Sequence, residues 1–419
     1  MQNTQLRRRA AEAIVIQTPR KNSLTLSPSA NPALSPETRS GLYYFSSMMN
    51  IGAATAYAGI WFAKQGLTPD QIGLINSAPI FALLLINLLV GRVADRAKDW
   101  RQVIIFGAWT SALLALGLIF AFDFWSILIV WSLANIAQGA IAPVMDAAAT
   151  RIAERRGTSF GAIRAWGTIG YVLAIFTTGA VLAALGSTFF IPLFVGFCVL
   201  RALISLALPQ FRAEAPSKPR EGSATNLSGM LKPWLLVPIL AWGLIQSTNM
   251  ALMAFQALLW KQQGLSESLI GGLIAFGAIA ETAMMFGFPW LKRNFTNRQL
   301  LLIAGLFAAL RWTCFAFSPA MPWLIPLQMI HAITYAVGFA GIMGFITRWT
   351  AEGMAAEAQG FMVVVQQGAT MLMIMFFGHL VSLYGPHAYF ASAAVAGLGA
   401  LLVLLSMRFL PPPGTELRA

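Results

Sequence analysis

The sequence predicts an all-α membrane protein in which twelve transmembrane helices form two pseudo-symmetric six-helix bundles. Three observations carry that expectation. Hydrophobic residues make up 58% of the 419 residues and charged ones 10%, with a mean hydropathy of +0.69, a composition outside the range of ordinary soluble domains. Apolar stretches of roughly 20 residues, the length that crosses ~30 Å of hydrocarbon, recur from one end of the chain to the other. The loop after the first stretch returns after the seventh in the shared pattern G-L-[TS]-x-x-x-I-G.

The stretches read as 41–63, 71–91, 102–122, 124–150, 161–185, 188–209, 233–260, 267–290, 299–318, 321–347, 359–383 and 386–408. Each is expected to be helical, because a backbone amide or carbonyl left unpaired in lipid costs several kcal/mol. The net charge of +13 would suggest nucleic acid in a soluble protein. Here it follows topology instead. Arg7, Arg8, Arg9, Arg20, Lys21 and Arg39 precede the first stretch, and further basic residues follow the second, fourth, sixth, eighth and tenth. The opposite side holds only Lys64 and Lys261. That asymmetry places both termini in the cytoplasm of a multi-pass protein of the bacterial inner membrane and argues against nucleic acid as a partner.

The expected organisation is a disordered cytoplasmic N-terminus at 1–40, a six-helix bundle at 41–209, a linker at 210–232, a second bundle at 233–409 and a cytoplasmic tail at 410–419. Residues 22–36 are rich in Ser, Pro and Asn, a composition that buries too little to fold. No apolar segment follows Arg7–Arg9, so the N-terminus does not read as a cleaved signal peptide. Cys198 and Cys314 both fall inside predicted spans and read as small core residues rather than a disulfide or metal site.

The repeated loop is Gly66-Leu67-Thr68-Pro69-Asp70-Gln71-Ile72-Gly73 in the first half and Gly264-Leu265-Ser266-Glu267-Ser268-Leu269-Ile270-Gly271 in the second, an offset of 198 residues. Gly ends one helix, Thr or Ser caps the next, and Pro69 suits a first helical position. Equal topological placement points to duplication of a six-span unit. Transporters built from such repeats bind solute between the halves at mid-membrane.

Between the second and third stretches lies Gly91-Arg92-Val93-Ala94-Asp95-Arg96-Ala97-Lys98-Asp99-Trp100-Arg101-Gln102. This segment resembles the G-x-x-x-D-R-x-G-R-[KR] loop of the major facilitator superfamily, with Lys98 and Asp99 where Gly and Arg are usual. The resemblance implies the major facilitator fold, and a gating role for Gly91, Asp95, Arg96 and Arg101 at the cytoplasmic helix ends. Its counterpart at 289–299 has decayed, although Arg298-Gln299 echoes Arg101-Gln102.

Six ionisable residues sit inside the apolar stretches: Asp146, Arg164, Arg201, Glu281, Arg311 and His331. Charge in hydrocarbon costs a few kcal/mol, so such residues normally face a bundle interior or a wet cavity. Helical spacing groups Asn135, Gln138 and Asp146 on one stripe, and Arg164, Thr168 and Tyr171 on another. Gln246 and Asn249 share a face, as do Gln328, His331 and Thr334, while Ser47 and Asn50 add polar groups to the first stretch. Isolated amides and hydroxyls also serve simply as interhelical bonds, worth about 0.6 kcal/mol each. Arg201 stands near the cytoplasmic end of its stretch, within reach of snorkelling, and stays outside the expected site.

The segment from Asp146 to Tyr171, with Gly161-Ala162-Ile163-Arg164-Ala165-Trp166-Gly167 between, resembles the fourth and fifth spans of the lactose permease, where acid, arginine and aromatic follow at the same spacing. Arg311 and His331 are similar to a functional arginine and histidine there. Glu281 and the Arg311-Trp312 and Ile330-His331-Ala332 pairs are closer to the 3-phenylpropionate transporter branch. The permease has an acid where Thr334 stands and a lysine where Gln328 stands, and an Asp–Lys pair appears as Asn249 and a glutamine near Gln366. Acid and base lost together leave no unpaired buried charge.

These readings imply a secondary active transporter, a proton-coupled symporter importing a small organic solute by alternating access: an aromatic carboxylate such as a phenylpropionate, a sugar or a nucleoside. Asp146, Arg164, Tyr171, Asn135, Gln138, Asn249 and Gln246 are the expected solute-binding residues, the first two offering an acceptor and a bidentate donor. Their alternative is an interhelical brace. Glu281 is expected to carry the proton, set by desolvation and by Arg311, with His331 as relay. Its alternative is a static salt bridge to Arg311. The expected partners are the solute, protons and the bilayer, the expected state is monomeric, and no cofactor is needed beyond the transmembrane proton gradient. A proton-driven efflux antiporter, which commonly carries a Gly-Pro motif in the fifth span, fits less well because 161–185 contains no proline. A non-transporting sensor has little use for buried acid–base pairs. Enzyme chemistry finds neither a phosphate-cradling loop nor a His/Cys cluster.

Overall fold

The computed structural model describes residues 34–96, 99–211, 231–349 and 355–409, and every element among them is helical. The first helix, α1 (Pro36–Lys64), begins inside the stretch expected to be disordered. Three local features start it early. The Ser35 hydroxyl accepts from the Thr38 amide at 3.2 Å, Pro36 occupies the first turn, and Glu37 sits at the positive end of the helix while paired with Arg156. Most of the expected 1–40 tail, the 210–232 linker and the 410–419 tail lie outside the described residues.

The first half continues with α2 (Pro69–Arg96), α3 (Trp100–Leu116), α4 (Phe124–Arg156), α5 (Phe160–Leu185) and α6 (Phe190–Ser205). The second holds α7 (Pro233–Gln262), α8 (Glu267–Phe286), α9 (Asn297–Ala316), α10, α11 (Ala355–Tyr384) and α12 (Tyr389–Ser406). The tenth helix is composite, running as Met321–Ala332, a π-helical turn at Ile333–Val337 and then Gly338–Trp349. The expected eighth span is broken at Gly287, after which a short helix, Phe288–Asn294, leads to α9.

The duplicated loop behaves as its residues dictate. Gly66 and Gly264 take φ of +80° and +89°, left-handed values open to glycine without strain, and each ends a helix. Thr68 and Gln71 exchange bonds between side chain and amide, and the Ser266 hydroxyl accepts from the Leu269 amide.

Ten stretches of the described residues are long and apolar enough to cross a membrane, and the last, Ala358–Ser406, takes in both α11 and α12. The remaining helix, α1, is too polar to qualify. It needs less apolar surface because it lies inside the assembly: Ser46, Asn50, Tyr43, Tyr44 and Tyr57 are all buried. Its counterpart α7 is also central, with 72% of its window buried.

The packing repeats six helices on. α1 packs on α5 and α6, as α7 does on α11 and α12; α3 meets α4 and α6, as α9 meets α10 and α12. The halves touch through α1–α7 and through two symmetry-related pairs, α2–α11 and α5–α8. These contacts gather at one end, where α1, α5, α7 and α11 finish and α2 and α8 begin. There a Cβ on Gly378 would lie 2.7 Å from the Pro69 carbonyl and 3.1 Å from the Gly73 Cα, so only glycine permits the approach. The Tyr57 hydroxyl lies 3.0 Å from the Ile175 carbonyl and 3.2 Å from the Glu267 carbonyl, linking α1 to both halves. Asp70 and His379 meet across the α2–α11 contact at 2.7 Å. The molecule is closed at this end.

Candidate functional site

Away from the closed end the halves separate around a central cavity with two lobes of ≈ 540 Å³ and ≈ 580 Å³. Met48, Arg164, Met250 and Met253 line both, so the two lobes adjoin.

The first lobe holds Asp146 from α4 and Arg164 from α5. Arg164 Nη1 donates to both Asp146 carboxylate oxygens at 3.1 Å, with the two side chains 51% and 42% exposed. A solvated pair of this kind holds helices together by about 1 kcal/mol or less, too little for a brace. Nε and Nη2 of Arg164 make no bond among the described residues, leaving one edge of the fork open to the cavity. The buried Tyr44 hydroxyl donates to Asp146 Oδ1 at 2.6 Å and orients the carboxylate. Gln138 accepts from the Asn50 amide, and Asn135 donates to the Trp131 carbonyl of its own helix at 2.9 Å.

The second lobe is lined by Tyr171, Glu281, Arg311, His331 and Tyr335. Arg311 is fully buried and every nitrogen is engaged: Nε donates to the Leu327 carbonyl at 2.7 Å, Nη2 to Gln328 Oε1, and Nη1 meets His331 Nδ1 at 3.1 Å. The Trp312 ring lies 4.8 Å from the guanidinium, within cation–π range. A guanidinium only donates, so Nδ1 of His331 accepts and the ring carries its proton on Nε2. That nitrogen faces Glu281 Oε2 at 3.8 Å, beyond hydrogen-bond length. Glu281 and Arg311 therefore form no direct pair, and His331 stands between them.

Other expected residues fall elsewhere. Asn249 and Gln246 are buried within the second half and do not line either lobe. Asn249 accepts from the Thr334 hydroxyl at 2.9 Å. Spacing placed the two on one face of α7, but a helix covered on nearly all sides offers several faces and only one meets the cavity. Trp61, Phe255 and Trp312 pack in the core. Gly91, Asp95 and Arg96 lie in the last turns of α2, and their side chains fall outside the described residues. Arg101 Nη2 donates to the Leu206 carbonyl just past α6 at 2.6 Å. Its echo Arg298 does the same past α12, to the Phe409 carbonyl at 3.2 Å.

Residues 39–391 match the MFS_1 like family. The chain belongs to this family. It is a transporter of the major facilitator superfamily. The probable 3-phenylpropionic acid transporter of Escherichia coli (strain K12) is 25% identical over 85% of this chain and 94% of its own. The maltose permease of Geobacillus stearothermophilus is 24% identical, covering 87% and 92%. Among solved structures of the superfamily fold, the nucleoside transporter NupG superposes with a TM-score of 0.77 at 16% identity over 90% of this chain and 99% of its own. An inward-facing, occupied bacterial homologue of the lysosomal transporter Spinster gives 0.71 at 16% identity, covering 91% and 98%.

Two lining residues of this family member escaped the sequence reading. Tyr44 continues the Ser47–Asn50 step of three back by one position, a signal that was present. Tyr335 lies within the π-helical turn, which shifts the register of α10 after Ala332 and leaves no mark in hydrophobic periodicity.

Proposed function

We propose that this transporter is a proton-coupled symporter that imports a small aromatic carboxylate across the bacterial inner membrane by alternating access, working as a monomer with both termini in the cytoplasm. The observation that carries the reading is the single cavity into which the first half presents Asp146–Arg164 and the second presents Glu281 and the His331–Arg311 relay. By the distribution of Lys and Arg, the closed end faces outward and the cavity opens to the cytoplasm.

Arg164, half-neutralised by Asp146, offers its free edge to a carboxylate. The methionines shared by both lobes give a soft, polarisable wall suited to an aromatic ring, and Tyr171 and Tyr335 add ring faces. A hydroxyl-rich sugar would draw less from that wall. The name of the E. coli relative points the same way. Glu281 is the acid that would take the proton, because its neighbour His331 is already committed as an acceptor to Arg311. Gly91, Asp95, Arg96 and Arg101 would latch the cytoplasmic helix ends.

The test is uptake of labelled 3-phenylpropionate, maltose and uridine into proteoliposomes under an imposed pH gradient. Protein-dependent accumulation of the carboxylate on the alkaline side supports the proposal. Accumulation on the acidic side would mean antiport, and uptake of only the sugar or nucleoside would refute the substrate class.

A further inference from the structure

Arg201 lies on α6, four residues before its end at Ser205, yet it does not snorkel to the surface. It is 0% exposed, and none of its three guanidinium nitrogens has a hydrogen-bond partner among the described residues. A buried cation without a counter-ion is expensive, and the other buried arginine of the described membrane helices, Arg311, has every nitrogen engaged. Arg201 is the uncompensated one.

Its position relates that charge to the cavity. Cys198 and Arg201 are three residues apart on α6; Tyr43 and Asn50 are seven apart on α1, the helix against which α6 packs. The Asn50 amide reaches Cys198 Sγ at 3.6 Å, one turn of α6 away from Arg201. Tyr43 and Asn50 both line the first lobe. Arg201 thus stands one side chain behind the cavity wall, in a low-dielectric surround where its field is poorly screened. Counting the ionisable groups around the cavity, Asp146 and Glu281 oppose Arg164, Arg201 and Arg311, so the chamber is positive even with Glu281 ionised and more so once Glu281 binds a proton.

We infer that Arg201 is the anion-selectivity determinant of the cavity: its uncompensated charge makes the first lobe positive and favours solutes bearing a carboxylate over neutral isosteres. It is a positioning charge and makes no contact with the solute. The inference rests on the aromatic-carboxylate reading above and deepens it. It also ties proton to solute, since each added positive charge favours the anion and the anion favours the proton equally.

The experiment compares 3-phenylpropionate with its neutral amide, 3-phenylpropanamide, by calorimetric binding and thermal shift on purified wild type, Arg201→Gln and Arg201→Lys. Wild type is expected to prefer the acid; Arg201→Gln should lose on the order of tenfold of that preference, while Arg201→Lys retains it. Without solute, Arg201→Gln should melt no lower than wild type, because an unpaired buried charge has been removed. Should the glutamine variant misfold, Arg201→Met fills the volume with a flexible apolar chain and carries the same comparison. Equal acid preference in wild type and the neutral variants overturns the role of Arg201 and leaves the substrate reading standing. Wild type that binds neither probe overturns the substrate reading, and this inference with it.

Discussion

Replacing Glu281 by glutamine separates the two roles open to that side chain, and the structure sets the size of each effect. Glu281 is 21% exposed on the cavity wall, and the ionisable group it meets among the described residues is His331, whose Nε2 lies 3.8 Å away. No hydrogen bond is lost in Glu281→Gln, and the amide keeps the shape. The expected change in folding stability is below about 1 kcal/mol, the range of solvated pairs. A carboxylate bracing Arg311 would have cost about 3–5 kcal/mol to remove, since a buried charge would be stranded. Transport should respond the other way. One pH unit is worth 1.36 kcal/mol per proton, so one proton per solute sustains about tenfold accumulation at zero voltage. Glu281→Gln should bring solute only to equal concentrations, while exchange of labelled for unlabelled solute, which moves no net proton, continues. The assay is proteoliposome uptake under a one-unit gradient, corrected for undissociated acid crossing protein-free vesicles, beside thermal unfolding of the same preparation. Tenfold protein-dependent accumulation by the variant, or destabilisation in the 3–5 kcal/mol range, would refute the argument.

Asp146→Asn retains an acceptor for Tyr44 but removes the charge facing Arg164; its melting should move by less than about 1 kcal/mol while initial uptake falls at least about tenfold, measured as solute flux per folded protein. Gly378→Leu places carbon where the Pro69 carbonyl now lies 2.7 Å from an added Cβ, so the closed end should spread. In a Cys198→Ala, Cys314→Ala background, Ile374→Cys, which lines the first lobe, should then label faster with an impermeant maleimide applied outside. Asp99 accepts from the Arg101 amide and from the Phe211 amide, both at 2.9 Å; Asp99→Ala should cost on the order of 1–2 kcal/mol in thermal unfolding and leave solute affinity unchanged.

Much of this was legible before any coordinates, because lipid forces helices and duplication leaves its spacing behind. The repeated loop carried more than the caps it announces. Its final glycines, Gly73 and Gly271, are where α2 and α8 meet the opposite half: Gly73 against α11 and Gly271 against Ile175 and Tyr57. Asp146, Arg164, Glu281 and His331 were findable as ionisable residues in apolar surroundings. Asn249 and Gln246 misled for the opposite reason. Polar side chains bond to neighbours inside a bundle as readily as they bind solute, as Asn249 does with the Thr334 hydroxyl, and helical periodicity does not say which side of a central helix is wet. Arg201 was equally opaque, since a position near a helix end reads as snorkelling until packing on α1 removes the path to water.

The two halves share architecture but not chemistry, and alternating access requires both facts. Closing contacts arise in symmetry-related pairs, α2–α11 and α5–α8, so the two halves contribute equivalent helices to the closed end. At the closed end the polar share of that contact is small: one tyrosine hydroxyl between two carbonyls, and an Asp70–His379 pair whose side chains are 42% and 59% exposed. Such groups contribute on the order of 1 kcal/mol each, which leaves opposing states within a few kcal/mol and open to bias by a ligand. The ionisable groups are asymmetric, with a solvated acid–base pair in the first half and a buried relay behind a carboxylate in the second. A symmetric site would hold two equivalent charges and repel either a proton or an anion. In the proposed symport one half receives the carboxylate and the other the proton, and each binding event lowers the electrostatic cost of the second. Proton and carboxylate then enter as a neutral pair, so the doubly loaded cavity carries no more net charge than the empty one into an occluded, water-poor state.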